Sequence, residues 1–136
     1  MTDATIHSDP PSGDVTAEDK RLFWACLIAL VATAFGFIVR AQIIGDWGVQ
    51  FNLSETQKGE ILGVGLWPFA ISIILFSLII DRIGYGTAMV FAFVCHVLSV
   101  IITIFATGYW MLYIGTCLVA LGHGTIEAVI HPVVAT

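Results

Sequence analysis

The stretch from Leu22 to Ile44 reads LFWACLIALVATAFGFIVRAQII and carries one charged residue, Arg40. A helix over these 23 residues would be about 34 Å long, which is enough to cross the roughly 30 Å hydrocarbon core of a bilayer. Further apolar stretches occupy most of the chain after it. The sequence predicts four membrane-spanning helices, over residues 22–44, 55–80, 86–106 and 109–136.

The composition of the whole chain is typical of a membrane protein. Of its 136 residues, 58% are apolar and 11% are charged, and the mean hydropathy is +0.96. Soluble domains are about half apolar and a quarter charged, so this chain has too few charges for a surface that faces water on all sides. The alternating segments of barrel strands are absent from the sequence, and backbone groups in lipid must be paired within a helix. We therefore expect an all-α membrane protein.

The net charge of −5 arises in the first 19 residues, which hold five of the 10 acidic residues. The remainder is balanced and has no basic stripe, which excludes nucleic-acid binding as a function. Residues 1–21 are rich in Pro, Ser, Thr and Asp, so we predict a disordered acidic tail there. The tail lacks the basic beginning of a signal peptide.

Basic residues near the ends of the spans predict the orientation. Lys20 and Arg21 precede the first span, and Arg82 lies between the second and the third. The loop between the first and second spans contains only Lys58. Because Lys and Arg are retained on the cytoplasmic side, this asymmetry predicts a cytoplasmic N-terminus. We expect a multi-pass protein of the cell (inner) membrane.

The loop before the second span contains a signal for a helix start. Ser54 is followed three residues later by Gln57, the pattern of a capping box in which each side chain binds the other residue's backbone N–H. The second helix is therefore predicted to begin near Glu55. Within it, Pro68 predicts a kink, because proline removes one hydrogen bond of the helix.

The turn between the second and third spans, SLIIDRIGYG at 77–86, resembles a signature of the major facilitator superfamily of transporters. That signature is G-x-x-x-D-[RK]-x-G-x-[RK]-[RK], and Asp81, Arg82 and Gly84 match it. The first and last residues of the stretch depart from it, where the family has a glycine and a basic residue. The alternative is a plain polar turn with a cytoplasmic arginine.

The resemblance implies roles for these residues and a larger architecture. Asp81 would stabilise the outward-facing state by binding a helix of the other half, and Gly84 would allow the tight turn. Members of the superfamily have about twelve spans in two halves, with the substrate near the bilayer midplane between the halves. The chain would then be the first third of a twelve-helix fold, without the C-terminal remainder of the transporter.

A second stretch, from Gly122 to Pro132, looks like the fourth helix of sugar:proton symporters of the fucose permease type. The pattern G-x-G-x-x-E-x-x-x-N-P is common there. The two glycines, Glu127 and the proline match it, and His131 stands where the family has Asn. The resemblance implies a small solute and protons as the transported species.

Ionisable residues inside apolar spans are costly, so each is a functional candidate. Glu127 is predicted to load and release a proton in a poorly hydrated cavity. Arg40 offers a planar fork of donors for an anionic or hydroxyl-rich solute, and the alternative for it is a side chain that snorkels to the outer headgroups. His123 and His131 are candidates for lining the same cavity. By their positions along the helices, Arg40 and Glu127 lie near opposite membrane faces, so no direct salt bridge between them is expected.

Small residues at helical spacing predict close helix contacts. One such face is Gly59-x-x-x-Gly63 in the second span, and the other is Ala120-x-x-x-Gly124-x-x-x-Ala128 in the fourth. Close contacts of this kind suit helices that must rock against each other during transport.

Together these features predict the N-terminal part of a secondary active transporter, which moves a small solute by ion-coupled alternating access and is not an enzyme. No cofactor is predicted. One alternative is a metal-binding membrane subunit that uses His123, Glu127 and His131, spaced i, i+4 and i+8, with His96 as a fourth ligand. Another is a self-contained four-helix membrane protein that functions as an oligomer.

Overall fold

The structure, a computed structural model, describes residues 16–135, with side chains described to residue 132. Within these residues it contains helices and no strand. The helices are α1 (Ala17–Gln50), α2 (Glu55–Gly63), α3 (Trp67–Ile83), α4 (Tyr85–Ile104) and α5 (Tyr109–Ala135). Four spans are long and apolar enough to cross a membrane, because α2 and α3 together form one span over Glu55–Ile83. The prediction of an all-α fold with four apolar spans of membrane-crossing length is therefore confirmed for the described residues.

The first helix is longer than the predicted 22–44. Thr16 caps it through a capping box in which the Thr16 hydroxyl accepts from the Asp19 N–H and the Asp19 carboxylate accepts from the Thr16 N–H. Residues 17–21 are therefore helical, and the prediction of a disordered tail was wrong for them. Residues 1–15 of that predicted tail lie outside the described part of the chain. With 34 residues α1 is about 51 Å long, so its polar ends extend beyond the apolar run.

The predicted start of the second span is confirmed. Ser54 caps α2, and its capping box with Gln57 has both hydrogen bonds, at 3.0 and 3.2 Å. The first turn of α2 also holds an ion pair between Lys58 and Glu55, with 2.5 Å between Nζ and Oε1. These polar contacts stabilise the N-terminal turn of α2, which precedes the apolar part of the span.

The second span is broken rather than kinked, and the break precedes the proline. Residues 64–66 form a turn, in which Gly65 donates to the Leu62 carbonyl at 3.1 Å. Pro68 lies in the first turn of α3, where N–H groups have no acceptor within the helix, so the proline removes no hydrogen bond there. The same span continues to Ile83, three residues beyond the predicted end at 80.

The predicted turn over 81–86 is reduced to one residue, Gly84. Residues 81–83 belong to α3, and Tyr85 already belongs to α4. Gly84 has φ 81°, in the left-handed region that favours glycine, and its N–H donates to the Ile80 carbonyl at 2.8 Å. This single residue reverses the chain between the two helices.

The last helix is the centre of the bundle. The tertiary contacts of α1, α3 and α4 are mainly with α5. One core cluster joins all four of these helices, through Cys26, Ile80, Ala88 and Val129. In the most apolar 18-residue window of α5, 50% of the residues are buried within the bundle. The corresponding share for α1 is 11%. Polar residues on α5 and on the helix faces that meet it are therefore the ones removed from lipid.

Candidate functional site

Arg40 is part of α1, and its side chain lies against hydroxyl groups of α4. Its Nη2 donates to Ser99 Oγ at 2.7 Å and to Thr103 Oγ1 at 3.3 Å. Arg40 precedes the end of α1 at Gln50 by about 15 Å. In this structure the guanidinium turns inward to α4, so the snorkelling alternative does not describe its contacts.

The two hydroxyls are held in place by backbone carbonyls. Ser99 Oγ donates to the Gly115 carbonyl at 2.6 Å, and Thr103 Oγ1 donates to the Ser99 carbonyl at 2.7 Å. Because each hydroxyl proton is used in this way, each oxygen is left to accept from Arg40. A Cβ at Gly115 would lie 2.9 Å from Thr103 Oγ1, so the glycine leaves the room that this arrangement needs. Nε of Arg40 is buried and has no partner among the described residues.

His96 lies one turn before Ser99 on α4. Its Nδ1 is 2.7 Å from the Ala92 carbonyl oxygen, so this nitrogen carries the proton. The ring packs against Gly122 of α5, where a Cβ would lie 2.6 Å from Nδ1. The other nitrogen, Nε2, is buried and has no partner within the described part of the chain. In the neutral ring it is an unused hydrogen-bond acceptor.

Glu127 and His123 form a half-buried pair on α5. Their Oε2 and Nε2 atoms are 3.7 Å apart, and the side chains are 30% and 23% exposed. Phe69 of α3 covers the His123 ring, with the ring centroids 5.1 Å apart. Arg40 and Glu127 thus have different partners, the first on α4 and the second on its own helix.

His131 does not join this pair. It is exposed, and its Nδ1 hydrogen-bonds the Glu127 backbone carbonyl at 2.7 Å. A step of eight residues turns about 80° around a helix, so His123 and His131 point in different directions. Among residues 16–132, no group of three or more His, Cys, Asp and Glu side chains could hold a metal ion. The ligand set of the metal-binding alternative is therefore not assembled.

Among the described glycines, Gly124 has the tightest contact with a neighbouring helix. A Cβ there would lie 2.5 Å from the Phe69 carbonyl oxygen and 2.7 Å from the Ser72 Cβ of α3. Its predicted neighbours on the small face, Ala120 and Ala128, are buried. This face therefore packs as the sequence predicted.

A hydroxyl pair crosses the same helix contact. Ser72 Oγ donates to the Leu121 carbonyl at 2.8 Å and lies 3.1 Å from Thr125 Oγ1. The other predicted small face behaves differently, because a Cβ at Gly59 or Gly63 would meet no described atom within 4 Å. The close contact predicted for that face is wrong for this part of the structure.

The residues that resemble the transporter signature lie at an exposed corner of the bundle. Asp81 and Arg82 are exposed at the end of α3, and Gly84 follows them. Neither charged side chain has a hydrogen bond or ion pair with the described residues. Both charges are thus left to face water or another segment.

Four residues of the site were not found from the sequence, namely Ser99, Thr103, Gly115 and Gly122. Their spacing offers a weak signal, since the two hydroxyl residues are four apart and the two glycines seven apart, so each pair shares a helix face. Such spacings are common in apolar helices, and only the packing of α4 against α5 selects these ones.

No family model matches the chain. No solved structure matches it either.

Proposed function

We propose that this chain is the N-terminal part of a secondary active transporter of the major facilitator type, which moves a small solute across the cell (inner) membrane by ion-coupled alternating access. The observation that carries the proposal is the hydrogen-bonded row of Arg40, Ser99 and Thr103 between otherwise apolar helices. A charge at bilayer depth costs several kcal/mol, and membrane proteins retain such charges mainly where they serve a solute or an ion.

Arg40 is the proposed solute-binding residue. Its Nη2 is engaged by hydroxyls, whereas its Nε is buried and unpaired in the described structure. A guanidinium with an unused donor suits a carboxylate, phosphate or hydroxyl group of a solute. His96, one turn away along α4, adds an unused acceptor. An anionic or hydroxyl-rich solute would accept from Arg40, and a hydroxyl of the solute would donate to His96 Nε2.

Glu127 is the proposed proton-coupling residue. It is half-buried in the described bundle, and His123 is a second titratable group 3.7 Å away. A carboxyl beside an imidazole is a suitable pair for receiving and releasing a proton. His123 would line the same cavity.

Asp81 is the proposed conformational residue, on the strength of the resemblance of its turn. Its exposed carboxylate has no partner among the described residues and is available to a helix of a second half. Asp81→Asn keeps the size and removes the charge, so we expect reduced transport with little change in membrane insertion. Transport at the wild-type rate by this variant would leave Asp81 only a role in the turn.

Transport in proteoliposomes tests the proposal. The chain is expressed together with the reading frame that follows codon 136 in its genome, because the proposal requires a second half. Uptake of labelled monosaccharides and small carboxylates is then measured with an inward proton gradient. We expect accumulation that a protonophore abolishes. A following frame without further apolar spans would contradict the proposal and favour the self-contained four-helix protein.

Two variants with matched controls assign the roles. Arg40→Gln is expected to raise the KM for the solute about tenfold, because it removes a charged donor. Glu127→Gln is expected to abolish accumulation while solute exchange continues. Arg21→Gln and Glu55→Gln change exposed residues of the same types and should leave both properties unaltered. Unchanged accumulation in Glu127→Gln, or unchanged affinity in Arg40→Gln, would remove that residue from the mechanism.

A further inference from the structure

A separate pocket of about 450 Å³ lies beside the break between α2 and α3. It is away from Arg40 and Glu127 and shares no residue with the transport site. Four aromatic rings, one carboxylate and a glycine line most of it, namely Trp67, Tyr109, Trp110, Tyr113, Glu60 and Gly63. Aromatic rings together with a carboxylate favour the binding of a cation.

Three of the rings form a cluster on the first turns of α5. The ring centroid of Tyr109 is 5.2 Å from that of Trp110 and 5.7 Å from that of Tyr113. Trp67, the first residue of α3, is 54% exposed, and Trp110 is 71% exposed, so indole surface remains open to a ligand. Aromatic faces carry negative charge density and attract cations, with Trp the strongest of them.

The carboxylate in the pocket strengthens this attraction. Tyr109 Oη donates to Glu60 Oε2 at 2.6 Å, which fixes the carboxylate among the rings, and Oε1 has no hydrogen bond to the described residues. Among the described residues, this end of the bundle also holds Asp46 and Glu55, and the one base there is Lys58. Since Lys58 is already paired with Glu55, no cation of the described residues neutralises the charge of Glu60.

Gly63 provides the space. A Cβ at this position would meet no described atom within 4 Å, so the surface above the glycine is open. Interfacial anchoring explains why Trp and Tyr occur at the end of a span. It does not explain a carboxylate tied into the ring cluster or a glycine that leaves the pocket open beside it.

We propose that this pocket binds an alkylammonium group. The rings would contact the cation through their faces, and Glu60 would balance its charge. Two sources offer this chemistry, the choline headgroup of a phospholipid and a free ammonium solute.

Saturation-transfer NMR on the methyl protons of tetramethylammonium tests the proposal, with the full chain in neutral maltoside micelles. We expect saturable binding to the wild type. Glu60→Gln keeps an oxygen for Tyr109 but loses the charge, and Gly63→Leu fills the open space. Each should raise the Kd about fivefold or more, which corresponds to about 1 kcal/mol, the size of one cation–π contact.

Asp46→Asn and Gly59→Leu are the matched controls, because Asp46 is an exposed carboxylate and Gly59 an exposed glycine, both outside the pocket, and Gly59 has no described atom within 4 Å of its Cβ position. These variants should bind as the wild type does. Absent binding, or equal binding by Glu60→Gln, Gly63→Leu and the two controls, would overturn the proposal and leave the rings as membrane anchors.

Added lipid identifies the source of the ammonium group. Competition with tetramethylammonium by phosphatidylcholine and not by phosphatidylglycerol assigns the pocket to the lipid headgroup. Retained binding in the presence of phosphatidylcholine assigns it to a free solute.

Discussion

Arg40 brings a charge into the bundle without a carboxylate partner among the described residues. Its hydrogen bonds go to two hydroxyls whose own protons are already bound to carbonyls, and its Nε is unpaired. A buried donor without a partner costs about 1–3 kcal/mol. A residue that destabilises the fold in this way is typical of a binding site, where function and stability oppose each other.

Arg40→Met should therefore stabilise the bundle by about 1 kcal/mol, because it removes an unpaired polar group and leaves Ser99 and Thr103 bonded to their carbonyls. Unfolding by SDS in mixed maltoside micelles, followed by circular dichroism, measures this. Arg21→Met, at an exposed position of the same helix, is the control and should change stability by less than about 0.5 kcal/mol. A loss of stability in Arg40→Met would show that the arginine braces the fold.

Gly124→Ala should destabilise the bundle by about 1–3 kcal/mol, because the new methyl would meet a backbone oxygen of α3 at 2.5 Å and the helices must separate. Gly36→Ala is the control, since a Cβ there meets no described atom within 4 Å and alanine favours helix by up to about 1 kcal/mol. The same unfolding assay compares them. Equal effects of the two substitutions would contradict a tight contact at Gly124.

The charged residues of the candidate site can be predicted from the sequence, but its hydroxyl residues cannot. Arg40 and Glu127 are conspicuous because ionisable groups are rare in apolar spans. Ser99 and Thr103 are not, because a hydroxyl in a helix can bond a carbonyl of its own helix and carries no sign of a partner. What makes them part of a site is the position of Arg40 on another helix, which depends on the packing.

At the scale of helices, the ends are decided by short-range hydrogen bonds. The capping box of Ser54 and Gln57 was predicted because the side chain of residue N3 is the usual Gln. Thr16 and Asp19 form the same arrangement with a shorter acid, so the start of α1 was missed. The break at 64–66 is displaced from Pro68 because proline is well tolerated in the first turn of a helix.

Gly84→Ala should destabilise the connection between α3 and α4 by about 1–2 kcal/mol, because an L side chain is strained at φ 81°. Gly86→Ala, two residues later and helical, should be neutral or stabilising, since a Cβ there meets no described atom within 4 Å. The midpoints of thermal unfolding of the two variants provide the comparison. If both unfold at the wild-type temperature, glycine is not required at this turn.

At the scale of the whole molecule, the four apolar spans follow from length and composition alone, and their order around α5 does not. The length of an apolar stretch indicates that a helix can cross the lipid. Which helices it packs against depends on small residues and polar contacts on α5. The exposed side chains Ile28, Val31 and Phe35 show that one face of α1 remains uncovered by the described bundle. In the proposed transporter this face lies against lipid or the second half.

The orientation is predicted from the basic residues, with the N-terminus and the Gly84 turn in the cytoplasm. In a variant without native cysteines, Asn52→Cys should react with an impermeant maleimide added outside intact cells, and Gly86→Cys should react only after lysis. Both positions are exposed. The opposite labelling pattern would reverse the proposed topology.

The central position of α5 also has a consequence for the order of assembly. Because the ribosome makes α5 last among the described helices, α1, α2–α3 and α4 enter the membrane before their main packing partner has been synthesised. Each must be stable there through its own apolar length, as separate helices do before they associate. The helices therefore pack into a bundle only late in biosynthesis. A nascent chain halted before Tyr109 would present loosely associated helices to the quality-control proteases of the membrane.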